Sequence, residues 1–221
     1  CIRDRAKGRL KEDYRLNKEY LITVTADDID SESADDGDIL VADGAGGADW
    51  ETQDRWDDLR FPAANLKAGT AGVPTWDNTN GLQEFAIGDY LFCQVQLPHA
   101  WKVGTTLKPH VHWCKITSGP NLVAWQLDYK WVKIGEVMDA AFTTISDETP
   151  DVSDGDTAYQ HALTALPDIV PAVDVQISDM LICKVSRIAT AGASYGTRAA
   201  LLEFDIHIEI DSFGSTQEYV K

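Results

Sequence analysis

The segment LEFDIHIEID, residues 202–211, decides the fold class of this chain. Every second side chain in it is apolar, and the residues between them are acidic or histidine. A period of two is typical of a β-strand that has one face in a core and the other in water or in an interface. The predicted core face of this strand comprises Leu202, Phe204, Ile206, Ile208 and Ile210.

Other segments show the same alternation, among them residues 90–97, 122–134 and 177–188. Short turns separate 90–97, 107–116 and 122–134, so we predict that these three pair as an antiparallel meander. Residues 158–166 fit either a strand or a short helix, and no long helical period follows residue 60. The predicted fold is all-β, an antiparallel β-sandwich of jelly-roll type with an extended N-terminal arm.

Composition and charge restrict the function. The 221 residues are 44% hydrophobic and include seven tryptophans, which is enough for a real core. The formal net charge of −17 argues against a nucleic-acid partner, because phosphate binding needs clustered Lys and Arg. No signal-peptide pattern is present, and no apolar run approaches the roughly 18 residues of a membrane span, so we expect no membrane partner.

The front of the chain differs from the rest, and we predict an N-terminal arm with an acidic linker in residues 1–50 and a β-sandwich domain in 51–221. Residues 1–20 fit a short amphipathic helix, and 20–25 fit a short strand. Residues 27–38 fit an exposed linker, because their Asp spacing does not match a calcium loop. The chain begins with Cys1 in place of Met, which indicates a longer product or processing.

The stretch GDILVADGAGGADW, residues 37–50, combines a short apolar strand, a Gly-rich turn and a tryptophan. No Gly-Lys-Ser/Thr follows the glycines, so the stretch is not a phosphate loop. It resembles a recurrent phrase in bacteriophage fibre and appendage proteins, where such units join extended stems to globular heads.

His110 and His112 are the candidate metal ligands, because a spacing of two places both imidazoles on one face of a strand. Gly104 and the two histidines form Gly-x5-His-x-His, which resembles the start of the first cupin metal motif. A third ligand would come from His99, His161 or His207, or from the thiolate of Cys114. The glutamate that a cupin needs is missing, and so is its second motif. We therefore expect the imidazoles to hydrogen-bond across the sheet or between subunits, with any bound metal structural.

Catalytic signatures are weak. The sequence has no G-x-S-x-G elbow, and its four cysteines form no CxxC pair and no Cys-His-Asn order. The carboxylates that flank His207 could imitate a glycosidase pair, but alternating acids are also typical of a solvated strand face. We expect no enzyme activity and no cofactor.

Most of residues 50–221 resembles a group of bacteriophage virion proteins. The stretches that carry the resemblance are Trp56–Pro62, Leu97–Gly104, Lys108–Trp113, Ile134–Met138, Leu202–His207 and Gln217–Lys221. The resemblance implies a structural virion protein, a capsid decoration (cement) or fibre subunit, with a jelly-roll homotrimer as its form and capsid or other virion proteins as its partners. The alternatives are a receptor- or glycan-binding fibre tip and a cupin-like metalloprotein.

Overall fold

The computed structural model describes residues 38–42, 48–51, 55–148 and 156–219, and it divides into two units after Glu51. The first unit contains a hairpin of β1 (Ile39–Ala42) and β2 (Ala48–Glu51). This confirms the strand expected at the start of residues 37–50. The hairpin turn, the helix predicted for 1–20, the strand at 20–25 and nearly all of the acidic linker lie outside the described residues.

The second unit is built from two antiparallel sheets. Its strands are β3 (Arg55–Pro62), β4 (Lys67–Ala68), β5 (Thr75–Asp77), β6 (Leu82–Phe85), β7 (Tyr90–Gln96), β8 (Lys108–Lys115), β9 (Ala124–Val132), β10 (Thr143–Glu148), β11 (Ala162–Ala165), β12 (Met180–Ile188) and β13 (Ala199–Ile210). A short 3-10 helix, Ala63–Asn65, follows β3. Residues 158–166 therefore contain a strand, which resolves the choice that the sequence left open.

One sheet has the strand order β10-β9-β12-β7-β4. The other has the order β11-β8-β13-β6-β5, and β3 pairs with the second half of β13. β13 is thus a central strand. It pairs with β8 on one side, and on the other side its first residues pair with β6 and its later residues pair with β3. The arrangement is an antiparallel β-sandwich of jelly-roll type, so the predicted fold class is confirmed.

The core lies between the two sheets and is formed by alternate side chains. On β9, Trp125 and Leu127 are fully buried, as their alternation predicts. On β8, the inward residues Val111 and Trp113 are fully buried. The edge of Phe85 packs against Trp125 with ring centroids 5.2 Å apart. Each fully buried large aliphatic side chain contributes roughly 2 kcal/mol, so this face sets the strand registers.

The predicted meander is wrong. β7 and β9 both pair with β12 in one sheet, whereas β8 lies in the other sheet beside β13. The chain crosses between the sheets through the loop after Leu97, and ten residues easily span the roughly 10 Å that separates packed sheets. Trp101 in this loop is fully buried and forms a β-bridge with Ile210, so the loop closes one end of the core.

The predicted core face of β13 is right only beyond residue 203. The pairing of β13 with β8 shifts register between Leu201 and Glu203, which is a β-bulge. Phe204, Ile206 and Ile208 are fully buried, but ahead of the bulge it is Leu201 that is fully buried, while Leu202 is only half-buried. The prediction that Leu202 belongs to the core face is therefore wrong.

In the described part of the chain, no helix has the length and apolarity needed to span a bilayer. Two of the three described cysteines, Cys114 and Cys183, are buried, and Cys93 is half-buried against the core. All three have free thiols. They act as small apolar residues of the strands, as the sequence indicated.

Candidate functional site

The outer face of the six-stranded sheet carries a cluster of histidines and aspartates. His110 and His112 project from β8 on this face, while the intervening Val111 points into the core. Antiparallel pairing places Asp205 of β13 directly opposite His110. On the other side of β13, Asp58 of β3 lies opposite His207. Five side chains from three strands are therefore brought together by strand register alone.

Asp205 is the centre of the cluster and is only 6% exposed. Its Oδ1 lies 3.6 Å from Nδ1 of His110, and its Oδ2 lies 3.3 Å from Nε2 of His112. The same Oδ2 lies 3.5 Å from Nε2 of His207. Three imidazoles therefore surround one buried carboxylate. The expectation that the acids of this strand face are solvated is wrong at Asp205, since the neighbouring strands cover it.

The surroundings of Asp205 keep its carboxyl ionised. Burial on its own would raise the pKa of Asp205, but the polar contact with His110 and the fields of His112 and His207 outweigh burial and lower it. A carboxylate in this position accepts hydrogen bonds or binds a cation, and it does not donate a proton near neutral pH.

Two further contacts extend the cluster. Nδ1 of His112 lies 2.8 Å from Nε2 of His161, the residue just before β11. Nε2 of His207 lies 3.3 Å from Oδ1 of Asp58, and the rings of His110 and His207 have centroids 4.2 Å apart. A neutral imidazole has one donor and one acceptor, so donation from His112 to Asp205 leaves Nδ1 of His112 to accept from His161. His112 is thus held from both sides, as expected for histidines that hydrogen-bond across a sheet.

The contact between His110 and Asp205 is different. Their separation of 3.6 Å is too long for a hydrogen bond. Nδ1 of His110 and Oδ1 of Asp205 are both buried, and neither has a hydrogen-bond partner within the described ranges. A buried unpaired polar atom costs about 1–3 kcal/mol, so two such atoms that face each other need an explanation.

The arrangement contains three possible metal ligands. One ligand atom from each of His110, Asp205 and His207 lies within 4.8 Å of the other two. Two imidazoles and a carboxylate form a donor set that suits Zn²⁺ and other divalent transition metals.

The third metal ligands that the sequence suggested fall into two groups, those inside the histidine–aspartate cluster and those outside it. Of the possible third ligands, the structure brings His207 and His161 into the cluster. His99 lies elsewhere, with Nδ1 2.6 Å from Oγ of Ser215 and Nε2 3.3 Å from Oγ of Ser178. Cys114 is buried, and burial, with a smaller effect of Glu84, raises the pKa of its thiol, so it does not serve as a thiolate ligand.

Sequence reasoning missed Asp205 and Asp58 as members of the site. The acidic outer face of the last strand was the signal for Asp205, but nothing in the sequence pairs that strand with residues 108–115. Glu203, two residues earlier, has a different role. It accepts two hydrogen bonds from Arg60 at 2.7 and 2.8 Å and so ties β13 to β3.

Comparison with known proteins yields structural resemblance only. No protein family and no curated protein matches the sequence. A CBM36-1 domain of a multidomain xylanase from a Trinervitermes trinervoides hindgut metagenome has a TM-score of 0.37 at 10% identity, over 68% of this chain and 96% of that chain. The Cry4Aa toxin of Bacillus thuringiensis has a TM-score of 0.40 at 10% identity, over 70% of this chain and 24% of the toxin. CBM35 from Cellvibrio japonicus Abf62 has a TM-score of 0.37 at 11% identity, over 68% of this chain and 92% of that chain. Similarities of this size do not transfer a function.

Proposed function

We propose that this chain is a non-catalytic structural protein of a bacteriophage particle. In this role it is a capsid decoration or fibre subunit that attaches through residues 1–50 and assembles with copies of itself through the sandwich. The observation that carries the assembly role is an exposed apolar loop after β9. In it, Ile134 is 61%, Val137 is 79% and Met138 is 61% exposed. Clustered apolar side chains in water are typical of protein–protein interfaces.

The loop is also held in place. Nζ of Lys133 contacts Glu136 at 2.8 Å and Asp174 at 2.5 Å, and Nζ of Lys130 donates to the carbonyl of Met138 at 3.3 Å. A loop that is already ordered loses less conformational entropy when a partner binds.

The local charge permits a second copy of the chain as the partner at this loop. A net charge of −17 makes copies of the protein repel one another over most of their surface. Lys130 and Lys133 place two positive charges beside the apolar loop and offset the local acids. Residues 134–138 also form one of the stretches that resemble virion proteins, which agrees with a role in assembly.

The assembly role is tested by sedimentation equilibrium of the untagged full chain, whose monomer mass is 24.3 kDa. We expect a concentration-dependent trimer for the wild type and a monomer for the double variant Val137→Asp, Met138→Asp. The matched control is Ile87→Asp, because Ile87 is 46% exposed but lies at the opposite end of β12 from the loop. A monomeric wild type would contradict the assembly role, and so would equal loss of the trimer in the control.

The virion role needs a separate test. Antibodies against the sandwich domain, with immunogold electron microscopy of purified particles, should label the head or an appendage at regular positions. Particles that lack the chain by both labelling and mass spectrometry would refute a virion role, whatever the oligomeric state.

A glycan-binding fibre tip remains the second candidate, because the domain has an open cleft of about 580 Å³. Its walls include the aromatic residues Phe61 and Phe92 and the polar residues Arg60, Asn65 and Gln94. Apolar surface with a few polar groups is typical of small-ligand sites. A glycan array with wild type and Phe92→Ala separates the roles: binding that Phe92→Ala abolishes supports the tip, and absence of any binding leaves only the structural role.

A further inference from the structure

We infer that His110, Asp205 and His207 bind one divalent transition-metal ion, with Zn²⁺ as the best fit. The site lies on the outer face of the six-stranded sheet, and it is independent of the proposed assembly loop. The argument rests on the spacing of the ligand atoms, on the two buried atoms without hydrogen bonds and on the groups that surround them.

The spacing fits an ion better than it fits hydrogen bonds. A tetrahedral zinc ion with bonds of about 2.1 Å has ligand atoms about 3.4 Å apart. Oδ1 of Asp205 lies 3.6 Å from Nδ1 of His110, and Oδ2 of Asp205 lies 3.5 Å from Nε2 of His207. Each carboxylate oxygen therefore has one imidazole nitrogen close to that spacing, and both distances are longer than a good hydrogen bond. The three ligand atoms lie within 4.8 Å of one another, so modest rotation of the two imidazoles completes the site.

An ion also explains the two unpaired atoms. Nδ1 of His110 and Oδ1 of Asp205 are buried, face each other and have no hydrogen-bond partner among the described residues. Asp205 is more than nine-tenths buried and is directed into the cluster. A cation between these atoms would satisfy both of them at once, whereas without it each loses its hydrogen bond to water.

The surrounding residues match the supports that metal sites use. His112 contacts Oδ2 of Asp205 at 3.3 Å and is itself held by His161, so the carboxylate has a fixed orientation. Asp58, whose side chain is 46% exposed, contacts Nε2 of His207 at 3.3 Å from the solvent side. This leaves an entry path for the ion. The imidazoles select against Ca²⁺ and Mg²⁺, which prefer all-oxygen sites.

The test is a Zn²⁺ titration of the untagged full chain by isothermal calorimetry, with a Co²⁺ absorption spectrum as a second readout. We expect one ion per chain and the visible bands of four- or five-coordinate Co²⁺. Asp205→Asn and His207→Ala should each weaken binding by at least about tenfold, since even loss of an outer partner costs roughly 10–100-fold. The wild type should also gain thermal stability with Zn²⁺, and the His110→Ala, His207→Ala double variant should not.

His99→Ala is the matched control, because His99 is a half-buried histidine that contacts only serines among its side-chain partners here. Its Zn²⁺ affinity and Co²⁺ spectrum should equal those of the wild type. Circular dichroism checks that each variant is folded, and Asp205→Asn keeps the side-chain volume of the buried carboxyl. No binding by the folded wild type would overturn the proposal. So would binding that His207→Ala and Asp205→Asn leave unchanged, since the ion would then be held by other residues.

Discussion

Replacement of Arg187 by methionine should destabilise the sandwich strongly, because this buried guanidinium joins the two sheets. Arg187 lies on β12 and is 1% exposed. Its Nη1 donates to the carbonyls of Phe85 at 2.8 Å and Thr197 at 2.6 Å, and its Nη2 donates to the carbonyl of Tyr195. Phe85 ends β6 in the other sheet, and the two remaining carbonyls belong to the loop that leads into β13.

The size of the effect follows from two opposing terms. Hydrogen bonds from a charged donor stabilise by about 1.5–3 kcal/mol each, so three of them amount to roughly 5–9 kcal/mol. Against this, burial is the main cause that lowers the pKa of Arg187 to about 10, well below the usual value for arginine, with Tyr195 and Asp89 acting in the opposite direction. The net fall means that the surroundings of Arg187 together disfavour its charged form by roughly 3 kcal/mol, and methionine avoids this cost. The expected net loss for Arg187→Met is roughly 2–6 kcal/mol.

Urea unfolding followed by tryptophan fluorescence measures this loss as a lower midpoint with an unchanged slope. The matched control is Arg198→Met, since the side chain of Arg198 is 39% exposed and donates to one carbonyl, that of Glu84, at 3.1 Å. The control should lose less than about 1 kcal/mol. Arg187→Lys should fall between the two, because one ammonium does not reproduce the planar fork that serves three carbonyls. If Arg187→Met were no less stable than Arg198→Met, the reasoning would be refuted.

Further substitutions test single contacts of the sandwich. Burial alone would raise the pKa of Asp128, yet its ion pair and hydrogen bonds lower it. The stability that Asp128 contributes is therefore complete above a pH of about 4, and it is lost as the pH falls through the lowered pKa. The difference in stability between wild type and Asp128→Asn should accordingly disappear in acid. A difference that stayed constant with pH would contradict this. Trp113→Phe removes the 2.9 Å hydrogen bond from the indole to Thr164, which is fully buried, and should cost about 1–3 kcal/mol in urea unfolding. Leu201→Ala should cost about 2–5 kcal/mol and Leu202→Ala clearly less; equal losses would argue against the bulge.

The faces of individual strands could be predicted from the sequence. Alternation over residues 122–132 correctly assigns Trp125 and Leu127 to the core, and alternation in residues 204–208 does the same for Phe204 and Ile208. These predictions succeed because the buried face of a strand is a local property of its sequence. The all-β fold class follows from the same local property, repeated along the chain.

The pairing of the strands could not be predicted in the same way. Both sheets bury one face, so the strands of residues 90–96 and 108–115 have the same kind of pattern although they lie in different sheets. Loop length did not help either, because the loop after Leu97 is long enough both for a hairpin and for a crossing. The sequence does not predict the bulge near Leu202 either, because three consecutive apolar residues, 200–202, fit either register.

For the histidine–aspartate cluster, too, local features could be predicted from the sequence, whereas contacts between distant strands could not. The spacing of His110 and His112 correctly placed both imidazoles on one outer face. Asp205 was not predicted as their partner, because more than ninety residues separate it from His110 and only strand register brings the two together. For the same reason, nothing in the sequence distinguished His207, which joins the cluster, from His99, which does not.

The burial of Asp205 has a consequence for how the sheet is stabilised. An acid on the outer face of an edge strand would be solvated, but β13 is central, and imidazoles of β8 and of β13 itself cover the carboxylate. These contacts connect β8 to β13, and the contact of His207 with Asp58 extends them to β3. A metal ion held by His110, Asp205 and His207 would therefore link the two central strands of the sheet directly. Because such an ion would bind the folded sheet and not the unfolded chain, its binding free energy would add to the stability of the sandwich.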